Sequence, residues 1–167
     1  MSGDLEKRVR ALEDERDILS TLYAYGHTID YGEKEKWLDL FTEDAVYHVT
    51  MRGKTLPQVI VPQPPGGLKG REVLKEYIYK HPNAPDAWHK HMLAEPRIKL
   101  ESDTEASVVS YFFRLDEIKY ATASVLEGQA YVLVFGRYKD KMVKGKDGKW
   151  RFKERLIEME NSRPVPR

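Results

Sequence analysis

At 167 residues the chain is long enough to close one hydrophobic core, and 41% hydrophobic against 33% charged residues argues against disorder. Twenty-eight basic and 27 acidic side chains leave a net charge of +1, so no global field draws the protein to nucleic acid or to an anionic membrane. Cysteine is absent, which excludes disulfides, thiolate nucleophiles and thiolate metal sites. No apolar run approaches the ~20 residues of a membrane span, and the polar stretch from Met1 to Arg8 does not read as a signal peptide. A soluble cytoplasmic protein is the expectation. The locally basic stretch from Arg137 to Lys153 reads as a solvated strand face.

Leu5, Leu12 and Leu19 recur at seven-residue intervals with Val9 between the first two, predicting a helix over 4–30 packed against a partner surface. Ile18, Leu22, Tyr25 and Ile29 fall in one arc of that helix. Asp30 sits on the margin of the arc, where a carboxylate must be solvated, paired or used. Tyr31-Gly32 breaks the helix, and a short second helix runs through Phe41, with Leu38 and Phe41 on one face. Asp44 to Met51 reads as a strand that Gly53-Lys54 could turn into a second over Thr55–Val61. The run from Pro62 to Gly67 must be a loop. A third helix opens at Gly70-Arg71-Glu72, presents Val73, Leu74, Tyr77 and Ile78 as its apolar face, and ends at His81-Pro82. A second Pro-rich loop follows to Asp86. The remainder reads as β-structure over 89–100, 104–118, 127–144 and 149–160, separated by turns such as Ser102-Asp103 and Asp147-Gly148. Helices first and a long antiparallel sheet after is an α+β pattern, with the sheet curled around the helices.

The chemistry is narrowed by what is missing. There is no Gly-x-Ser-x-Gly elbow and no phosphate-binding glycine loop. His89 and His91 share a face of an extended strand, and with His48 or Asp30 they could bind a metal, but two histidines at strand spacing arise often by chance. No metal and no cofactor is expected. Acid–base chemistry remains. A carboxylate bonded to one nitrogen of an imidazole fixes its tautomer and frees the other nitrogen to move protons. Asp30 with His91 or His89 could form such a pair across a helix–sheet interface. His27, one helical turn before Asp30, reads equally as a surface neighbour. Tyr25 and Tyr47 read also as core aromatics, and Trp88 as a cap on the core. Arg114 either counters a buried carboxylate or faces water.

Leu22 to Asp30, followed by Leu40 to Val46, resembles the opening of the SnoaL-like family of the nuclear-transport-factor-2-like superfamily. The resemblance continues through Gly70-Arg71-Glu72, His91 with Pro96 and Ile98, Gly136-Arg137-Tyr138, and Asp147 to Phe152 with Glu154-Arg155. It implies a cone-shaped α+β barrel, with N-terminal helices packed in a strongly curved mixed or antiparallel sheet. A single domain over 1–162 is expected, and the Pro-rich tail over 163–167 is expected to fray. Lyases of the scytalone dehydratase and bile acid 7α-dehydratase type in this family use an Asp–His pair without cofactor. Their roles carry onto Asp30 and His91, with Tyr25 at the spacing of a third catalytic group. Tyr47, His89, His27, Trp88 and Arg114 are expected around the substrate from their own residue types, since Tyr47 and His89 match no motif of the family. The function implied is dehydration of a cyclic, largely apolar hydroxy-carbonyl compound by a homo-oligomer, dimer or trimer. The same scaffold also hosts ketosteroid-type isomerases, ring-hydroxylating dioxygenase β-subunits and non-catalytic binding modules.

Overall fold

The protein is described by a computed structural model covering residues 2–52, 54–55, 63–117 and 130–160. Helix α1 spans Ser2–Asp30 and α2 spans Lys34–Asp39; strand β1 (Phe41–Met51), the short β2 (Lys54–Thr55) and β3 (Leu68–Lys69) precede helix α3 (Arg71–Lys80). Four long strands complete the chain: β4 (His89–Leu100), β5 (Glu105–Glu117), β6 (Ala130–Lys144) and β7 (Trp150–Met159). They form one mixed sheet in the order β2-β1-β7-β6-β5-β4, with β3 also on β1; β1 and β7 run parallel and the other pairs antiparallel.

The second helix stops sooner than its sequence suggests: Phe41 opens β1, where its fully buried ring serves the core from a strand. Lys54 and Thr55 pair with Met51 and Thr50, while the expected strand beyond them and the expected frayed tail lie outside the described residues. Val73 is exposed, because α3 turns Leu74 and Ile78, with Tyr77 partly buried beside them, into the core. The expected partner surface for Leu5, Val9 and Leu12 does not exist within the described chain, since all three are exposed.

The core lies between the helices and the concave side of the sheet. Ile18, Leu22, Tyr25 and Ile29 of α1 meet Trp37, Phe41, Phe112, Tyr138 and Phe152 there. Strand alternation supplies the inward set on β5 as Ala106, Val108, Ser110 and Phe112. Two irregularities bend the sheet. In β4 the register shifts between Ala94 and Arg97, leaving Pro96, which has no N–H to give, at a bulge. In β7 Lys153 is the extra residue: Phe152 pairs with Met142 and Glu154 with Lys141, so the inward positions change from Trp150 and Phe152 to Arg155 and Ile157. Arg155 thereby enters the core. It meets Asp140 through two 2.8 Å hydrogen bonds, and its guanidinium lies 4.0–4.2 Å from the ring centres of Tyr25, Tyr138 and Phe152. Among the described residues no helix is long and apolar enough to cross a membrane.

Candidate active site

Gly26 determines how closely α1 approaches the sheet. A Cβ at this position would stand 2.6 Å from the carbonyl oxygen of His91, so only glycine lets the helix backbone lie against β4. One turn later Asp30 ends the helix, 3% exposed, directly over the start of β4. Its carboxylate accepts a hydrogen bond from the His91 backbone N–H at 3.0 Å through Oδ2. Its Oδ1 lies 2.6 Å from His91 Nδ1. One residue therefore grips the other by main chain and side chain together. That double contact sets the imidazole's position and gives its Nδ1 a negative partner, so the proton belongs on Nδ1 and Nε2 carries the lone pair.

Two further imidazoles surround the pair. His89 Nε2 stands 3.5 Å from the same Asp30 oxygen, near enough to feel its charge but without a hydrogen bond. His81, at the end of α3, places its ring centre 5.4 Å from that of His89 and 5.9 Å from that of His91. Burial, reinforced by His91, His89 and Arg114, holds His81 down to about 3. Burial, then the nearby Arg114 charge and His91, holds His89 down to about 4. Both are neutral near pH 7.

On the other side lies a group of phenols. The Tyr25 and Tyr47 hydroxyls are 2.8 Å apart, and Tyr77 packs on Tyr47 at 5.3 Å between ring centres. Burial raises the pKa of all three, so they act as neutral donors and acceptors. Tyr25 also meets His91 edge to face at 6.2 Å. A cavity of about 360 Å³ between α1 and β4 is lined by Tyr25, Asp30, His91, Leu22, Leu93 and Tyr138, with the exposed His27 at its rim. That is the size of an ordinary small-molecule site.

The structure thus gathers Asp30, His91, Tyr25, Tyr47 and His89, and puts His27 on the outer edge. One expected residue differs. Trp88 is 48% exposed and caps nothing; its ring sits on the surface with Lys90 Nζ 5.8 Å away. Arg114 counters the carboxylate of Asp116 through bonds of 2.6 and 2.8 Å, and its charge also reaches His81 and His89. Sequence reasoning missed His81 and Tyr77, whose tertiary neighbours come from distant elements. It also missed Arg155, whose signal was the change of parity between Trp150-x-Phe152 and Arg155-x-Ile157.

Asp30, His89 and His91 offer one ligand atom each within 4.8 Å of one another, a two-imidazole, one-carboxylate set without His48. The 2.6 Å Asp30–His91 separation is shorter than the edge of about 3.3 Å between ligands on a tetrahedral zinc ion. It is the length of a charge-assisted hydrogen bond.

The fold has clear relatives among solved structures. An NTF2-like protein with a cystatin-like fold from Novosphingobium aromaticivorans superposes with a TM-score of 0.76 at 20% identity, over 96% of this chain and 91% of that one. A candidate scytalone dehydratase from the same organism gives 0.70 at 22% identity, covering 95% and 93%. A candidate aromatic-ring-hydroxylating dioxygenase β-subunit, also from that organism, gives 0.70 at 18% identity, covering 93% and 94%. At these identities the likeness is one of fold. No functionally curated protein matches the chain. The model of the SnoaL-like domain, however, matches residues 10–156, nearly the whole length, and the chain belongs to the SnoaL-like family.

Proposed function

We propose that the protein is a cofactor-independent dehydratase acting on a cyclic, largely apolar β-hydroxy-carbonyl compound, with His91 as the proton-transferring group. The observation that carries this reading is the 2.6 Å contact between His91 Nδ1 and a buried Asp30 at the wall of a cavity. His91 Nε2 takes the proton α to the substrate carbonyl. The C–H electron pair moves toward the carbonyl to give an enolate. That electron pair then forms the C=C bond as the C–O bond to the β-hydroxyl breaks, and the imidazolium returns the proton to the departing hydroxyl. Water leaves, an enone remains and His91 is neutral again. Asp30 keeps the ring oriented and stabilises the transient imidazolium. Tyr25 donates a hydrogen bond to the developing oxyanion. Tyr47, bonded to the Tyr25 hydroxyl, and His89, beside Asp30, back the cavity wall from behind, with His27 at the mouth.

General acid–base help of this kind is worth ~10²–10⁴-fold in rate. The test is turnover of 3-hydroxy-1-tetralone, whose dehydration yields 1-naphthol, together with solvent-deuterium exchange at the α-carbon of 1-tetralone. His91→Gln and Asp30→Asn are each expected to lose both by at least 100-fold. Exchange without dehydration would overturn the dehydratase reading and favour an isomerase, which uses the same proton abstraction. Tight binding of either compound with no exchange, unaffected by Asp30→Asn, would reduce the site to a binding pocket. The convex side of the sheet exposes Val109, Tyr111, Val132 and Phe135, and assembly as a dimer or trimer would cover it. The absence of cysteine fits a cytoplasmic setting.

A further inference from the structure

The first half of α1 is built the wrong way round for a helix serving only its own domain. From Gly3 to Arg10 every residue is exposed. At 3.6 residues per turn, Leu5, Val9 and Leu12 share one arc about 60° wide. Leu5 and Leu12 are 60% and 66% exposed, and Val9 is 44%. The opposite side of the same turns carries Gly3, Lys7, Arg10, Ala11 and Asp14, which line a cleft against the β4–β5 turn at Leu100–Asp103. The polar side therefore faces the protein and the apolar side faces water. This is the reverse of the ordinary amphipathic arrangement, and the second half of the helix obeys the ordinary one through Ile18, Leu22, Tyr25 and Ile29.

We propose that the first three turns of α1 form a short parallel coiled coil with the same segment of a second copy of this chain. Spacings of four and three place Leu5 and Leu12 at d positions and Val9 at the a position between them. Leu at d with a β-branched residue at a is the two-stranded parallel preference. Charge selects the partner and the direction. Arg8 then falls at g and Glu13 at e, five residues on, which is the pair that meets across a parallel dimer. Neither has an ion-pair partner among the described residues. An antiparallel pairing that stacks Leu5 on Leu12 would instead bring e against e, Glu6 near Glu13, with like charges opposed. The seam ends at Arg16, a charged residue at the next a position that pairs with its neighbour Asp17 at 3.3 Å. Two heptads are too few for a free peptide, but here the helix is already nucleated and held by the core from Ile18 onward, so pairing carries no cost of helix formation. A net charge of +1 leaves little repulsion between copies.

The cysteine-free chain allows a clean test on the full-length protein, independent of any activity. Leu5→Cys and Leu12→Cys are made singly, with Lys75→Cys on the exposed face of α3 as control. A parallel pair brings each engineered thiol against its own copy, within disulfide reach. Mild oxidation of each single variant is expected to give nearly complete disulfide-linked dimer on a denaturing gel, while Lys75→Cys stays monomeric. Cross-linking only when Leu5→Cys and Leu12→Cys are mixed, or no more than the control, overturns the proposal. Charge reversal separates self-pairing from chance collision. Arg8→Glu should weaken association several-fold in sedimentation equilibrium, and Arg8→Glu combined with Glu13→Arg should restore it. Failure of the double variant to restore association also counts against the pairing.

Discussion

Asp30 illustrates how much a single carboxylate can organise. Its two oxygens hold the main chain and the ring of one residue, His91, so its removal frees the imidazole in two ways at once. The sequence already showed it as a charge on the margin of an apolar stripe, and family spacing pointed to its partner. What spacing could not show was that both oxygens serve the same residue, or that His89 and His81 close in behind. The buried Arg155–Asp140 pair is a second single-residue commitment, illegible because a bulge changes which positions face inward. Removing one member leaves an unpaired charge in the core, at about 3–5 kcal/mol. Arg155→Met should therefore lower the urea midpoint of unfolding by that amount of stability. A loss below about 1 kcal/mol would show that the pair is solvated in solution.

At the level of elements, the site depends on the contact between α1 and β4. Gly26 is the point of contact, and Gly26→Ala must either lift the helix or shift His91, since the methyl group would meet a main-chain oxygen at 2.6 Å. Overpacking of this kind costs about 1–3 kcal/mol, which the fold should survive. The expected result is a circular dichroism spectrum like wild type, a modestly lower melting temperature, and at least a tenfold loss in α-proton exchange. Normal exchange would mean the two elements are not held as tightly as the structure shows. The elements themselves were largely legible, because long strands with period-two alternation and a helix of period 3.6 bury recognisable faces. The boundaries that failed are those set by tertiary contact. Phe41 belongs to a strand because β7 pairs with it, and Val73 faces water because Leu74, Tyr77 and Ile78 already make the inward face of α3.

For the whole molecule, the two neutral imidazoles tie stability to pH. The folded pKa of His81 lies near 3 and that of His89 near 4, both below the ordinary value of 6.5. Below pH 6.5 the unfolded chain takes up these protons and the folded one does not, so stability is complete above that pH and falls as the solution is acidified toward 4. The slope is about 1.4 kcal/mol per pH unit for each proton. Melting curves between pH 7 and 4 should show this decline, and a His81→Gln, His89→Gln variant should flatten it. An unchanged slope in the variant would place the acid sensitivity elsewhere. Assembly is a second property of this scale: sedimentation equilibrium should give a mass at least twice 19.5 kDa. The family resemblance was read correctly because its motifs span the chain, but neither the inverted first half of α1 nor the three-imidazole cluster could be read from any one motif.

The central claim is that Asp30 holds His91 with its proton on Nδ1 and its lone pair on Nε2, ready to accept a proton. Nitrogen-15 NMR of the histidine side chains at pH 8 tests it without knowledge of the substrate. Wild-type His91 should show a protonated Nδ1 and a bare, pyridine-like Nε2, and Asp30→Asn should abolish that preference. A His91 ring carrying its proton on Nε2, or a tautomer equilibrium that Asp30→Asn leaves unmoved, would contradict the account.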